Sequence, residues 1–267
     1  MRGNGSLATP PRADAGEARD VSRDRAKSKR SGWQSAVVLE VLRRTPRINS
    51  VFLAPERPFS FQPGQYVRIK VNDASGAERS YSIASAPESG AILELAIEAL
   101  PRGQVSGYFH GRAAPGDTLE LRGPKGDFAW SAADGGPVLL IAGGSGLVPL
   151  MSMIRHRALR KSTAAVGLVY SAITWDDVLF RDELLELAEA QDGFELLLTL
   201  TRETPAHAGV GASRIDAAML RTMMQRLPAA PRSVFVCGSD PFVDHVQGLL
   251  PQLGIAPNVV HVESYGA

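Results

Sequence analysis

The hydrophobic pattern of this 267-residue chain changes character across the loop 134–137 (DGGP). Before the loop, short β-branched runs are separated by Pro and Gly turn signals, whereas after it apolar runs alternate with stretches of helical length. Closely spaced strands pair as antiparallel hairpins, whereas strands separated by helices form a parallel sheet. The sequence therefore predicts two domains of different architecture, at residues 33–133 and 134–267.

The first domain is predicted to be a six-stranded antiparallel barrel. Within it, Val67, Ile69 and Val71 alternate with other residues at the period of a half-buried strand. Several short runs of this kind with turn punctuation favour a small barrel. The predicted strands are 36–43, 49–54, 65–71, 79–85, 91–99 and 117–122, with one short helix at 105–112.

The second domain is predicted to be a doubly wound parallel sheet with helices on its faces. Residues 138–142 form an uninterrupted apolar run, as expected for a parallel strand buried on both faces. The pair Asp176 and Asp177 is the expected N-terminal cap of one helix. The predicted strands are 138–142, 165–170, 195–201, 233–237 and 258–262, and the predicted helices are 147–159, 177–189, 215–225 and 241–250.

The composition argues against several classes of function. Lys and Arg number 29 against 28 Asp and Glu, and this near-neutral balance argues against nucleic-acid binding. No apolar run approaches the roughly 18–20 residues that span a bilayer, so no transmembrane segment is expected. One cysteine excludes, within the chain, a disulfide framework, an all-cysteine zinc site and a cysteine-ligated iron–sulfur cluster. The five histidines lack metal-ligand spacing, so no metal site is predicted, and His156 is expected to be solvated.

Residues 1–32 differ from the rest of the chain in composition. They hold eight basic and four acidic residues, a net charge of +4, and the remaining residues carry −3. Leu7 and Val21 are the only larger aliphatic residues there, too few to offset the entropy of ordering. The sequence predicts a disordered charged tail, with a transit peptide unusually rich in acids as the alternative. Few cysteines and no apolar secretion signal predict a cytoplasmic protein.

A glycine-rich turn follows the first strand of the second domain. It comprises Gly143, Gly144, Ser145 and Gly146, between the apolar run and a predicted helix. Glycines let the backbone approach a phosphate, and a helix N-terminus supplies N–H groups. The dinucleotide fingerprint G-x-G-x-x-G is absent, so a tight turn without a ligand is the alternative.

A second motif, residues 79–82 (RSYS), lies on a predicted barrel strand. On an extended strand Arg79 and Tyr81 share one face, and Ser80 and Ser82 share the other. An Arg can pair with a phosphate, a Tyr can stack on a heterocycle, and Ser82 could donate to a ring nitrogen. Alone, the motif is also compatible with an ordinary barrel strand that carries an exposed Arg.

These two motifs belong to a series of six that runs through both predicted domains. In this order they make the sequence resemble the ferredoxin–NADP+ reductase superfamily over residues 33–266. Within that superfamily the chain is most similar to compact bacterial flavin reductases without an iron–sulfur domain. The motifs are 79–82 (RSYS), 103–108 (GQVSGY), 123–128 (GPKGDF), 143–149 (GGSGLVP), 236–238 (VCG) and 263–265 (ESY).

The resemblance implies a flavin site in the barrel. Arg79 would hold the cofactor phosphate, Tyr81 would lie against the isoalloxazine, and Ser82 would hydrogen-bond near its N5 atom. Ser80 belongs to the same cofactor-binding motif. The loop 103–108 would place Val105 and Ser106 at the start of a helix, where they contact the pyrophosphate, which favours FAD over FMN.

The resemblance also implies a nicotinamide-nucleotide site in the second domain. The turn 143–146 would bind the pyrophosphate, and Cys237 with Gly238 would face the nicotinamide. Ser82, Cys237 and Glu263 would frame the point of hydride transfer. Tyr265 is predicted either to cover the flavin as a lid or to be an ordinary terminal aromatic residue. For Cys237 alone, the alternative is a small buried hydrophobic residue.

The choice between NADPH and NADH rests on residues near the end of a predicted strand. Thr201 and Arg202 precede an acid, where NADP-dependent relatives often carry an Arg that pairs with the 2′-phosphate, and Arg214 could add a second charge. NADPH is favoured, although Arg at this place also occurs in relatives that use NADH. An NAD-selective site more often offers a carboxylate to the ribose.

The predicted function is that of an FAD-dependent NAD(P)H oxidoreductase. Because one cysteine cannot hold an iron–sulfur cluster, electrons would leave to a separate acceptor: ferredoxin, flavodoxin or a partner oxidoreductase. The alternatives are an electron-transfer subunit or regulatory flavin module active only in a complex, and a reductase of free flavin. The sequence leaves the acceptor and the oligomeric state open.

Overall fold

The structure is a computed structural model that describes residues 32–72 and 76–265. It contains a six-stranded antiparallel sheet and a five-stranded parallel sheet, which confirms the predicted fold class. The predicted tail lies outside the described residues apart from Gly32, as do Gly266 and Ala267. Among the helices of the described ranges, the longest has 13 residues, and none is long and apolar enough to cross a membrane.

The first sheet closes into a barrel. Its strand order is β4-β3-β6-β1-β2-β5, and an antiparallel bridge between Ile83 and Leu95 joins the two outer strands. Val67, Ile69 and Val71 are buried in the barrel core, as their alternation predicts. The elements are β1 (Gln34–Arg43), β2 (Ile48–Pro55), β3 (Tyr66–Val71), β4 (Glu78–Ser82), β5 (Leu93–Glu98), α1 (Gln104–Gly111) and β6 (Thr118–Lys125).

The second sheet is parallel, with strand order β11-β10-β7-β8-β9. The chain adds β8 and β9 on one side of β7 and then crosses to β10 and β11 on the other. The carboxyl ends of β7 and β10 therefore form the switch point at which such sheets bind ligands. The elements are β7 (Val138–Gly143), α2 (Leu147–Leu159), β8 (Val166–Ala172), α3 (Arg181–Glu189), β9 (Phe194–Leu200), α4 (Ala217–Arg226), β10 (Ser233–Ser239), α5 (Asp240–Leu249) and β11 (Val260–Tyr265).

The prediction that Asp176 and Asp177 cap a helix is wrong. Both residues lie in a 3₁₀ turn, and α3 begins only after Phe180, whose φ of +53° breaks the helical path. Asp177 is used elsewhere: it accepts a 2.9 Å hydrogen bond from the Thr174 hydroxyl and lies 3.3 Å from the Arg47 guanidinium of the barrel. The Asp177 carboxylate, which the sequence predicts to be a local helix cap, instead connects the two domains.

The prediction that His156 is solvated is also wrong. The side chain is buried because α2 lies between the parallel sheet and the barrel. Its Nδ1 donates to the Glu88 carboxylate at 2.9 Å, and the Ala132 N–H donates to its Nε2 at 3.1 Å. His156 therefore belongs to the contact between the two halves of the molecule.

Arg155, which precedes His156 in α2, makes a charged contact between the domains. Arg155 donates to Glu94 of β5 at 2.7 Å and to Glu183 of α3 at 2.6 Å. It also donates to the Ala84 carbonyl at 3.0 Å. Glu94 is buried and further paired with Arg44 at 3.1 Å. Charge-assisted bonds of this kind fix the orientation of the two domains.

Candidate functional site

The turn after β7 lies at the switch point of the parallel sheet. Gly143 ends β7, a 3₁₀ turn follows over Gly144–Gly146, and α2 begins at Leu147. A Cβ on Gly146 would lie 2.1 Å from the Cys237 carbonyl oxygen, so only glycine lets the turn pack against β10. Gly144 has a φ of +56°, and a Cβ there would meet nothing within 4 Å. The turn is thus packed on one side and open on the other.

Cys237 connects this turn to the last strand of the sheet. In the ladder it pairs with Ala142 of β7 on one side and with Glu263 of β11 on the other. The side chain is fully buried, and this burial raises the pKa of its thiol. The thiol therefore stays protonated at neutral pH, which fits a contact residue and not a covalent nucleophile.

Ser82 of β4 meets β11 across the domain boundary. Its hydroxyl shares a 2.8 Å hydrogen bond with the Tyr265 hydroxyl and lies 3.5 Å from Oε1 of Glu263. The Tyr265 hydroxyl also lies beside the Cys237 thiol. The structure therefore brings together Ser82, Cys237, Glu263 and Tyr265, which the sequence places on three separate strands.

The ionisation of Glu263 is shifted by its surroundings. Burial raises the pKa of its carboxyl from 4.5 to about 7, and the hydrogen bond from the Ser82 hydroxyl opposes this shift. Burial likewise raises the pKa of Tyr265 far above 10. At neutral pH this cluster holds a neutral phenol, a neutral thiol and a carboxyl that is protonated in a large fraction of molecules.

A cavity of about 550 Å³ opens between the barrel and β11. A cavity of this size is ordinary for a cofactor site, and its mixture of aromatic and hydroxyl groups fits a planar heterocycle with polar edges. The residues that line it include Tyr66, Ser80, Ser82, Phe128, Glu263 and Tyr265.

Arg79 and Tyr81 lie on the opposite face of β4, as strand alternation predicts. The Tyr81 ring packs edge-on against Phe109 of α1, with ring centroids 6.3 Å apart, and burial raises the pKa of its phenol. Arg79 is exposed and donates to the Glu78 carbonyl at 2.8 Å. The described lining of the cavity holds the two serines of the motif and neither Arg79 nor Tyr81.

Val105 and Ser106 lie in the first turn of α1, where the sequence expects them. Both are buried, and the Ser106 hydroxyl accepts a long 3.4 Å bond from the Leu100 N–H. Gly103 precedes the helix without a capping side chain. The hydroxyl therefore faces its own loop, and the first N–H groups of α1 have no side-chain cap.

Thr201, Arg202 and Arg214 lie at the carboxyl end of β9. The N–H groups of Thr201 and Arg202 donate at 3.0 Å to the backbone carbonyls of Ala172, the last residue of β8, and of Ile173. The Ser213 N–H donates to the Thr199 hydroxyl at 3.2 Å, which holds the segment before Arg214 against β9. Both Arg side chains are exposed at this edge of the sheet.

Sequence reasoning missed two contacts at the carboxyl edge. The Ser145 hydroxyl donates to Oε2 of Glu98 in the barrel at 2.7 Å, and no local pattern links residues 47 positions apart. Trp175 and His207 stack with ring centroids 3.8 Å apart and planes inclined by 21°. A Trp five residues after the predicted parallel strand 165–170 is the one signal that could have indicated this stack. In the described part of the chain, no group of three or more His, Cys, Asp or Glu residues could hold a metal.

Comparisons with known proteins agree with this arrangement. Residues 44–130 match the oxidoreductase FAD-binding domain, and residues 140–248 match the oxidoreductase NAD-binding domain. Ferredoxin–NADP reductase B of Sorangium cellulosum (strain So ce56) is 34% identical over 216 residues, which cover 79% of this chain and 88% of that protein. The propane 2-monooxygenase reductase component of Mycolicibacterium goodii is 30% identical over 232 residues, 85% of this chain and 66% of that protein.

Solved structures of FAD- and NAD-binding proteins also share the fold of this chain. The flavohem-like FAD/NAD-binding domain of nitric oxide dioxygenase from Vibrio cholerae O1 biovar El Tor superposes with a TM-score of 0.78 at 25% identity. The match covers 88% of this chain and 99% of that domain. A flavin-binding barrel joined to a nucleotide-binding parallel sheet defines a class of FAD- and NAD(P)-dependent oxidoreductases. The chain belongs to the ferredoxin–NADP+ reductase superfamily.

The residues present fit the two cofactors of this class. The cavity beside Ser82 has the size and lining for a flavin ring. The open side of the turn at Gly144, at the start of α2, fits a pyrophosphate. FAD and NAD(P)H are therefore the cofactors of this oxidoreductase.

Proposed function

We propose that the protein oxidises NAD(P)H at its bound FAD and passes the electrons to a separate acceptor protein. The observation that carries the proposal is the meeting of Ser82 from the barrel with Cys237, Glu263 and Tyr265 from the parallel sheet. When bound, FAD accepts a hydride from the nicotinamide and releases the electrons singly. The chain supplies the binding sites and the environment around the reacting atoms.

The barrel residues would hold and orient the flavin. Ser82 would donate near N5, at the edge of the cavity shared with Glu263 and Tyr265. Arg79 would pair with the cofactor phosphate, Tyr81 would contact the isoalloxazine, and Ser80 would line the cavity beside it. Val105 and Ser106 would present the start of α1 to the pyrophosphate, supported by the uncapped N–H groups there.

The parallel sheet would hold the nicotinamide nucleotide. Gly143–Gly146 would contact its pyrophosphate, supported by the open side of the turn. Gly238 and Cys237 would contact the nicotinamide at the carboxyl end of β10, where the buried, neutral thiol keeps water away. Tyr265 would act as a lid, a role supported by its hydrogen bond to Ser82 and its position beside Cys237.

NADPH is the preferred donor in this proposal. Arg202 and Arg214 present two exposed positive charges at the carboxyl end of β9, where a 2′-phosphate would form charge-assisted bonds. Replacement of either Arg by Ala is expected to weaken NADPH binding about ten- to a hundredfold and to change NADH binding little. Arg226→Ala, an exposed Arg of α4 paired with Glu195, is the matched control and should affect neither. Equal losses for both nucleotides would contradict the preference.

The acceptor is proposed to be a separate protein, of the ferredoxin, flavodoxin or oxygenase-component class. The one cysteine of the 267 residues, Cys237, is buried in β10, so the chain has no ligand set for an iron–sulfur cluster. The names of two relatives, a ferredoxin–NADP reductase and the reductase component of a propane 2-monooxygenase, support this class.

The test is flavin extraction followed by anaerobic titration of the full chain with NADPH and with NADH. One FAD per chain is expected, and NADPH should bleach the flavin absorbance at lower concentration than NADH. Oxidised ferredoxin or flavodoxin added afterwards should restore the absorbance. Protein that binds no flavin under any condition would overturn the proposal. Turnover of free FMN or riboflavin without retained FAD would indicate a free-flavin reductase instead.

A further inference from the structure

Glu98 is an acidic residue of the barrel that contacts the nucleotide turn of the other domain. It is the last residue of β5, and its Oε2 accepts the Ser145 hydroxyl at 2.7 Å. Its Oε1 lies 3.2 Å from the Arg47 guanidinium, and the side chain is 24% exposed. A solvent-accessible carboxylate is thus hydrogen-bonded to the turn proposed to bind a pyrophosphate.

The Arg47 guanidinium does not cancel the negative charge around this turn. Arg47 is shared between Glu98 and Asp177, whose Oδ1 lies 3.3 Å from its Nε. The other oxygen of Asp177 accepts the neutral Thr174 hydroxyl. Two carboxylates and one guanidinium leave this group with a net charge of −1, which repels a nucleotide phosphate.

Ser145 has the one side-chain hydroxyl within the turn Gly144–Gly146. A hydroxyl has a single proton to donate, so it cannot serve Glu98 and a phosphate oxygen at once. On its packed side the turn is held at Gly146 against Cys237, and its Ser145 hydroxyl is held by Glu98. A pyrophosphate on the open side at Gly144 must therefore compete with the Glu98 carboxylate for the Ser145 proton.

We propose that Glu98 sets the affinity of the nicotinamide-nucleotide site by competing with the pyrophosphate for the Ser145 hydroxyl. The inference rests on the proposed function, which assigns the pyrophosphate to this turn. The competition weakens binding of both oxidised and reduced nucleotide, so it favours rapid product release, a step that limits the turnover of many enzymes. Removal of the charge should convert a weak, fast-exchanging site into a tighter one.

The test measures NADP+ binding to the flavin-loaded full chain by equilibrium dialysis, independently of turnover. Glu98→Gln keeps the shape of the side chain and removes its charge, and it is expected to lower the Kd for NADP+ about three- to tenfold. Inorganic pyrophosphate, a probe without ribose, should also bind more tightly to the Glu98→Gln variant than to the natural chain. Glu120→Gln removes a barrel carboxylate that is paired with Lys70, and as the matched control it should leave both values unchanged.

A double-mutant cycle separates competition from a structural role. In the natural background Ser145→Ala should change the Kd less than twofold, because Glu98 already takes the hydroxyl proton. In the Glu98→Ala background the same change should weaken NADP+ binding several-fold, because the hydroxyl is then free to bind phosphate. Should the Gln and Ala variants lose their flavin, Glu98→Asp, which keeps the charge but shortens the reach to Ser145, should still show a smaller gain.

Three results would overturn the inference. Weaker NADP+ binding in Glu98→Gln would assign the carboxylate to a ribose hydroxyl or to the support of the turn. An unchanged Kd in all Glu98 variants would mean that the nucleotide does not meet this carboxylate. Absence of NADP+ and NADPH binding by the natural chain would overturn the proposed function together with this inference, whereas the first two results leave the proposed function intact.

Discussion

The barrel and the parallel sheet meet in two regions whose chemistry differs. Along α2 the contact is ionic: Arg155 binds Glu94 at 2.7 Å, and beside it the His156 Nδ1–H donates to the Glu88 carboxylate at 2.9 Å. Along β11 the contact is made by groups without a full charge, with Ser82 and Tyr265 sharing one 2.8 Å hydrogen bond. We refer to these as the ionic contact and the neutral contact.

Because the two contacts differ in charge, we expect them to differ in function. Breaking a buried ion pair leaves an uncompensated charge and is costly, so the ionic contact keeps the two domains in register. A hydrogen bond between neutral hydroxyls contributes about 1 kcal/mol, and water replaces it easily. In the proposed function, the neutral contact therefore opens for the nicotinamide while the ionic contact holds the domains in place.

Breaking the ionic contact should have the largest effect. Arg155→Ala leaves the buried Glu94 carboxylate with Arg44 and the Ser50 hydroxyl on one oxygen and no partner among the described residues on the other, and it is expected to lower the free energy of unfolding by about 3–5 kcal/mol. Chemical denaturation of the full chain measures this loss. Arg226→Ala breaks an exposed pair with Glu195 and should cost less than about 1 kcal/mol. Equal losses of unfolding free energy in the two variants would show that the ionic contact does not hold the domains together.

The next largest effect concerns the pH dependence of the neutral contact. The carboxyl of Glu263 has a pKa of about 7 in the folded protein and 4.5 in the unfolded chain. Between these values the folded state holds more protons, so this carboxyl lowers stability as pH rises through the window. In the natural chain, ionisation of this carboxyl should lower the free energy of unfolding by about 2–3 kcal/mol between pH 4.5 and 7. Glu263→Gln cannot ionise, so this decrease should be absent in the variant.

Denaturation at several pH values compares natural chain and variant. Glu263→Asp keeps a titrating carboxyl at the same position and should keep most of the slope. Parallel curves for the natural chain and Glu263→Gln across pH 4.5–7 would show that burial does not perturb this group.

The smallest effect is expected from the hydroxyl of Tyr265. Tyr265→Phe removes the bond to Ser82 and should lower the free energy of unfolding by about 0.5–1.5 kcal/mol. Tyr108→Phe breaks a 2.6 Å bond to the Asp117 carboxylate and should cost more, because that acceptor is charged. The reverse order would mean that the hydroxyl of Tyr265 contributes more to stability than a hydroxyl bonded to a charged acceptor.

The fold was largely predictable because its signals are local. The alternation in β3 and the apolar run of β7 each follow from side-chain periodicity within one strand. The start of α3 was not predictable, since it depends on the left-handed conformation of Phe180, which no residue-type preference favours. Because the sequence does not reveal this late start, it predicts that Asp177 caps the helix.

The candidate site divides in a similar way. Ser82, Cys237, Glu263 and Tyr265 lie in motifs that the sequence presents directly, and the structure brings them together. The partners of the ionic contact, and the pair Ser145 and Glu98, are single charged or polar residues without a motif. Their pairing spans 47 to 68 positions and exists only once both domains are folded and docked.

The order of elements along the chain also determines when the neutral contact can form. Ser82 belongs to the fourth strand, and its partner Tyr265 follows 183 positions later on the last one. At ribosomal rates the interval between their syntheses is roughly 10–40 s, long enough for a barrel to fold first. During that time the flavin cavity lacks the wall that β11 provides. A partly synthesised chain can therefore contain a folded barrel, but its cavity stays open to solvent until synthesis has passed Tyr265.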